Sequence, residues 1–144
     1  MAVFALLVCI RMICFPVPAQ AAARDCPKEC LNVEGRMEQQ QCAINVLRAA
    51  EEELQKYLTM SKQVWKDEIP DFIRTIDLAQ GRWIEFRKAA CGAVSEKWTT
   101  GTGRSIATIA CEIDLTRRWT HILWEYLSPE QNKGGLPEPK SAGE

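Results

Sequence analysis

Histidine is almost missing from the 144 residues: there is one, His121. A Ser-His-Asp or Cys-His nucleophilic site would have to be built on that single ring, and no nucleophile motif flanks it. A basic surplus is missing too. Lys and Arg number 18 against 19 Asp and Glu, a formal net charge of -1, whereas a nucleic-acid partner calls for a clearly positive surface. There is no C-x-x-C pair and no CxxCH, so neither a zinc site nor an attached haem is expected, and no other cofactor. Period-two alternation of apolar and polar residues is absent over any usable length, which excludes a sheet. Carboxylates are plentiful, as in Asp77 with Glu85 or the run Glu51 to Glu53. On helices such runs are ordinarily solvated faces, not the paired acid and base of glycan hydrolysis. The chain is therefore expected not to be an enzyme.

What is present suffices for one compact domain, since 144 residues with 47% apolar content can bury an ordinary core. Residues 1–23 read as a secretory signal peptide: an apolar run, then Pro16 and Pro18, then Ala19-Gln20-Ala21 as an A-x-A cleavage site. Arg11 interrupts the run, no Lys or Arg precedes it, and it is too short and too poorly flanked for a membrane span. Its removal takes Arg11 and no acidic residue, so the formal charge moves from -1 to -2. Cys9 and Cys14 leave with it, and Cys26, Cys30, Cys42, Cys91 and Cys111 remain. Five cysteines in a short exported chain point to a disulfide framework with one thiol over, and to a periplasmic or secreted location. The mature chain carries no stable membrane span.

Hydrophobic spacing then predicts three helices. Met37, Ile44, Leu47, Leu54, Leu58 and Trp65 form one stripe, widened by Ala50, Tyr57 and Val64, over about 36–66. Pro70, tolerated in a first turn, restarts the pattern, and Phe72, Ile76, Ala79, Trp83, Ala90 and Val94 carry a second helix over about 70–98. A third runs over about 104–128 on Ile106, Ile109, Ile113, Thr120, Leu123 and Leu127, with Ser105 available as its N-cap. The domain is thus 24–128, an all-α, disulfide-stapled antiparallel bundle of about three helices. Residues 129–144, rich in glycine and proline, are expected to be a disordered tail.

The cysteines test this layout. Cys91 lies ten residues before Gly101 and Cys111 ten after it, so each is about 15 Å from the turn along its helix. An antiparallel pair brings them level, where they can bond. Cys30 and Cys42 would be about 18 Å apart on one continuous helix, beyond disulfide reach. A bond between them therefore demands a break, which Gly35 can supply, with Glu38 in the first turn favouring the helix dipole. Cys26 is left over in this scheme; exchange with Cys30 as the partner, a free thiol and an interchain link all stay open.

Two pairs of polar residues stand out. Trp83 and Arg87 are four apart on one helical face beside Cys91, where the ring can pack on the disulfide and the guanidinium can reach a carboxylate or helix-end carbonyls. That is a structural motif. Arg104 and Ser105 sit at the tip of the hairpin in a glycine-rich loop, where binding residues concentrate on rigid scaffolds.

These residues carry a resemblance. Cys30, Cys42 and Ala43, then Ala50, Leu54 and Tyr57, then QGRWIEFRKAAC from Gln80 to Cys91, then Gly103 and Ser105 before Cys111 and LTRRW, resemble the bacterial LprI-type lysozyme-inhibitor family. The most specific part is Trp83-x3-Arg87-x3-Cys91, a Gly/Ser loop, Cys111 and Thr116-Arg117, and the match covers roughly 30–127. Where the family often has Thr and a nearby Asn in the first segment, this chain has Gly35 and Gln40; the family's doubled glycine before the serine is here Gly103-Arg104. The resemblance implies an exported helical module with a protein partner, a lysozyme-type cell-wall hydrolase. On that expectation Arg104 pairs with carboxylates in the hydrolase cleft, Ser105 hydrogen-bonds nearby and acidic helix faces steer a basic enzyme. The alternative is a non-inhibitory envelope structural or assembly module that associates through Trp98, Trp119 and Trp124.

Overall fold

The computed structural model describes residues 25–98, 101–127 and 137–140, with nothing said of the Thr102 side chain. The signal-peptide expectation for 1–23 falls outside these residues. A 3-10 turn, Lys28–Cys30, precedes three helices: α1, Arg36–Trp65; α2, Phe72–Lys97; and α3, Thr102–Leu127. No strand occurs among the described residues, and the bundle is all-α. The helix bounds stand within two residues of those expected from spacing. Ser105 consequently lies inside the first turn of α3, which opens at Thr102. The N-cap role expected of it passes to the turn at Gly101, whose carbonyl accepts the Arg104 N–H at 3.1 Å.

Each boundary has a local cause. Gly35 adopts φ 87° before α1, a region that costs glycine little and other residues more, and its carbonyl takes the Gln39 N–H at 3.0 Å. Glu38 lies in the first turn of α1 and Lys62 in its last, both complementing the helix dipole. Past Trp65 the chain turns through Pro70, and Thr75 N–H bonds to the Asp71 carbonyl at 3.0 Å. Gly101, with φ 92°, makes the tight return into α3.

The third helix is the centre of the bundle. It packs most extensively on α1, then on α2, while α1 and α2 meet only sparsely. Leu54, Tyr57 and Leu58 of α1, Ile76 of α2 and Leu123 of α3 form the core, with Phe72, Trp83, Trp119, Trp124 and Leu127 against it. Burying a leucine of this kind stabilises by about 1.5–3 kcal/mol. The inward face of α1 is Ala43, Ala50, Leu54, Tyr57, Leu58 and Ser61. Met37, placed on the core stripe by its spacing, is 67% exposed instead; the buried face of α1 begins only at Ala43. Thr116 and Thr120 face inward on α3 at almost no exposure. Their hydroxyls donate within the helix, to the Glu112 and Thr116 carbonyls at 2.6 and 2.9 Å, which removes the cost of burying them.

Two disulfides, one ion pair and one side-chain hydrogen bond close the structure. Cys30 is bonded to Cys42 and Cys91 to Cys111, with Cα atoms 5.9 and 5.6 Å apart; Cys26 is free and half-buried. The Arg117 guanidinium, on α3 and 8% exposed, pairs with Glu29 in the 3-10 turn. At the opposite end Trp65 Nε1 donates to the Leu127 carbonyl at 2.6 Å, satisfying a helix-end acceptor that would otherwise lack a partner. Residues 137–140 belong to the stretch expected to be a disordered tail, yet here they have a defined place: the Tyr57 hydroxyl donates to the Pro137 carbonyl at 2.5 Å and Pro139 is buried. Proline explains part of this, because its fixed φ leaves less backbone freedom to lose on docking.

Candidate functional site

The residues singled out by spacing fall in two separate places. The first is a groove of about 500 Å³ between α1 and α2, whose walls include Arg48, Glu51 and Leu54 on one side and Gln80, Trp83, Ile84 and Arg87 on the other. It exists because α1 and α2 both lean on α3 and scarcely touch each other. Trp83 stacks on Trp119 of α3 with centroids 6.0 Å apart and planes 12° from parallel. Its stacking partner is thus a second indole, which the expectation of packing on the disulfide did not include. The Trp119 N–H donates to Gln80 Oε1 at 2.6 Å, so a polar edge inside the bundle is satisfied.

Arg87 joins all three helices. From α2 it donates to Thr116 Oγ1 on α3 at 2.8 Å, pairs with Glu51 on α1 at 2.9 Å, and lies 4.9 Å from the centre of the Trp83 ring. Only a planar, forked cation can face an aromatic ring while making two bonds at an angle. Glu112 lies within this charge system. Burial pushes its carboxyl above the ordinary value, the Arg87 charge pulls it down, and Glu51 pushes it up again.

The second place is the hairpin tip. Arg104 Nε donates to Ser95 Oγ at 2.7 Å, and an outer nitrogen stands 3.5 Å from Glu96 Oε1. Its side chain is 41% exposed, and Ser105 is exposed. Arg104 is therefore held against the end of α2 with part of its guanidinium facing solvent. Ser95 is eight residues beyond Arg87, about 12 Å along the helix, so the tip and the groove do not form one site.

The tryptophans offered for association do not form exposed surfaces. Trp119 is stacked and hydrogen-bonded, Trp124 packs on the core, and the Trp98 indole nitrogen is buried without a partner. For Trp119 and Trp124 the reason is the central position of α3, which is flanked on two sides; Trp98 caps the end of α2 and lies against Gly103 at the hairpin turn. Larger exposed apolar side chains are elsewhere, at Leu78 and Phe86 on α2 and Tyr126 on α3.

His121 contacts the Glu125 and Glu138 carboxylates at 3.5 and 3.3 Å and the Trp124 ring edge-on at 5.3 Å. No group of His, Cys, Asp and Glu suited to a metal occurs among the described residues. No described helix is long and apolar enough to cross a membrane. Spacing did not single out Gln80 or Thr116 as partners of the Trp83–Arg87 motif, nor pair Trp83 with Trp119. A signal for that stack was present: Trp83 lies eight residues before Cys91 and Trp119 eight after Cys111, so the register that levels the cysteines also levels the rings.

Fold and site together define a small all-α module stapled by two disulfides, with a solvent-facing hairpin tip and a three-helix arginine–tryptophan network. The family model described as Lysozyme inhibitor LprI matches residues 26–123, and the chain belongs to that family. No curated protein and no solved structure matches it.

Proposed function

We propose that the chain is an exported module that binds and inhibits a lysozyme-type cell-wall hydrolase, and that the tip around Arg104 and Ser105 makes the contact. The observation that carries the first part is membership of the lysozyme-inhibitor family over residues 26–123. Export rests on the apolar leader at 1–23 and on two disulfides, which persist in oxidising compartments.

Two features support the tip. The Cys91–Cys111 bond, with Cα atoms 5.6 Å apart, joins the helices beneath it, and Ser95 already holds the Arg104 side chain, so less freedom is lost on entering a cleft. The contact to Glu96 is a weak one for Arg104 to give up, at 3.5 Å and with the Glu96 side chain 83% exposed. A desolvated carboxylate in the hydrolase would hold the guanidinium more tightly. Acidic residues such as Glu52, exposed on α1, steer a basic enzyme toward the module.

The test is a lysozyme activity assay against a panel of enzymes with the purified, oxidised protein. Arg104→Ala is expected to weaken inhibition by about 1–3 kcal/mol while helix content is unchanged. Equal inhibition by Arg104→Ala rejects the tip as the contact. No inhibition of any lysozyme at micromolar protein rejects the inhibitor, leaving the non-inhibitory envelope module.

A further inference from the structure

The seam between α1 and α3, on which the proposed inhibitory tip does not draw, is crossed by four residues from beyond the helices, of which Pro139 is buried and the other three are exposed. Tyr57, 2% exposed on α1, donates its hydroxyl to the Pro137 carbonyl at 2.5 Å. Glu138 Oε1 stands 3.3 Å from His121 Nε2 on α3. Pro139 is buried. Lys140 borders a cavity of about 310 Å³ that it shares with Glu29, Glu53 and Arg117. The contacts therefore advance from His121 toward Arg117 as the tail advances from 138 to 140, so the segment runs antiparallel to α3. The distances agree: four helical residues rise about 6 Å, and two residues of extended proline-type chain cover about the same.

The residue types suit such a seat. Proline fixes φ near the extended value and presents no N–H that burial would leave unpaired, and the residue before a proline is held extended as well. Pro137, Glu138 and Pro139 thus reach the seam with little backbone freedom to lose. A hydroxyl donor on an aromatic ring, a carbonyl acceptor and a buried proline are the means by which aromatic surfaces select proline-rich peptides.

We propose that the α1–α3 seam is a seat for an extended, proline-containing peptide, and that its occupant is the chain's own 137–140 segment, held as a strap that ties the tail to the disulfide-clamped 3-10 turn. Lys140 takes the end of the strap to Glu29, which is paired with Arg117 beside Cys30. While the strap is seated, Tyr57 is covered and Pro139 is buried, whereas Pro137, Glu138 and Lys140 keep an exposed side; the segment is held extended across the seam and is not free to enter a protease cleft.

Tryptic cleavage of the Lys140–Ser141 bond reads this directly in the full-length chain, as early loss of residues 141–144 by intact mass. Tyr57→Phe removes only the hydroxyl donor, and Pro139→Gly alters only the strap, outside every helix, with circular dichroism confirming that helix content is kept. Each is expected to speed cleavage about fivefold, the population change that accompanies one lost buried hydrogen bond or an equivalent contact. The wild-type rate is expected not to change on dilution. Equal rates for the three proteins overturn the strap, and a wild-type rate that rises on dilution overturns the intramolecular seat in favour of a tail supplied by a second copy.

Discussion

Replacing Arg87 with alanine removes three contacts of different kinds at one stroke. The bond to Thr116 is worth about 1 kcal/mol and not more, because the threonine hydroxyl keeps its donation to the Glu112 carbonyl at 2.6 Å and is not orphaned. The pair with Glu51 is discounted to under about 1 kcal/mol, since that carboxylate is 44% exposed and screened by solvent. Contact with the Trp83 face, 4.9 Å from the ring centre, adds about 0.5–1 kcal/mol. The loss near neutral pH is thus about 1.5–3 kcal/mol. Its pH dependence is more diagnostic than its size. Burial holds the Glu112 carboxyl above its ordinary value, with Arg87 opposing and Glu51 reinforcing the rise. A carboxyl raised in the native state binds its proton more tightly there than when unfolded, so stability falls as pH climbs through the window between the two values. Without Arg87 the rise is larger and the penalty above the window grows. Urea unfolding at about pH 4, near the ordinary carboxylate value, and again at neutral pH should show the greater deficit at neutral pH. Arg87→Lys keeps a positive charge near Glu112 but not the fork, so it should recover the pH-dependent part and not the Thr116 bond. A deficit that is the same at both pH values, or larger in acid, refutes the reasoning.

Breaking the hairpin staple with Cys91→Ser plus Cys111→Ser, across a separation of 20 residues, should cost about 3 kcal/mol by thermal or chemical unfolding and weaken lysozyme inhibition with it. Glu29 works in the opposite pH direction from Glu112. Burial alone would raise its carboxyl, but the hydrogen bond from Arg117 and the neighbouring positive charges outweigh that and hold it below its ordinary value. Its contribution is therefore full above the unfolded value and lost as pH falls through the lowered native one; Glu29→Gln should flatten that acid limb, and an unchanged limb rejects the pairing with Arg117. N-terminal sequencing of exported protein should begin near residue 22, and a mature chain that keeps 1–20 rejects the signal peptide.

The elements were legible in the sequence because helical periodicity is a local property. Phe72, Ile76 and Trp83 recur at helical spacing whatever they pack against, and Gly101 marks the return by the backbone shape it allows. The hairpin register was legible as well, since two cysteines equidistant from a turn can meet only if the helices are antiparallel. The identity of the central helix was not legible. All three helices carry an apolar stripe, and a stripe does not say how many neighbours cover it. Only the packing of α3 between α1 and α2 turned Trp119 and Trp124 inward, left Met37 in solvent, and brought Glu51, Arg87 and Thr116 together from three helices. The seat of 137–140 was equally hidden, because glycine and proline content reports how much freedom a segment has to lose and not what waits to bind it. What the chain determined by itself about this protein is its three helices, their order and the cysteine register; the tertiary structure decided which faces met, because burial is settled by neighbours remote in sequence, and a residue's own pattern cannot count them.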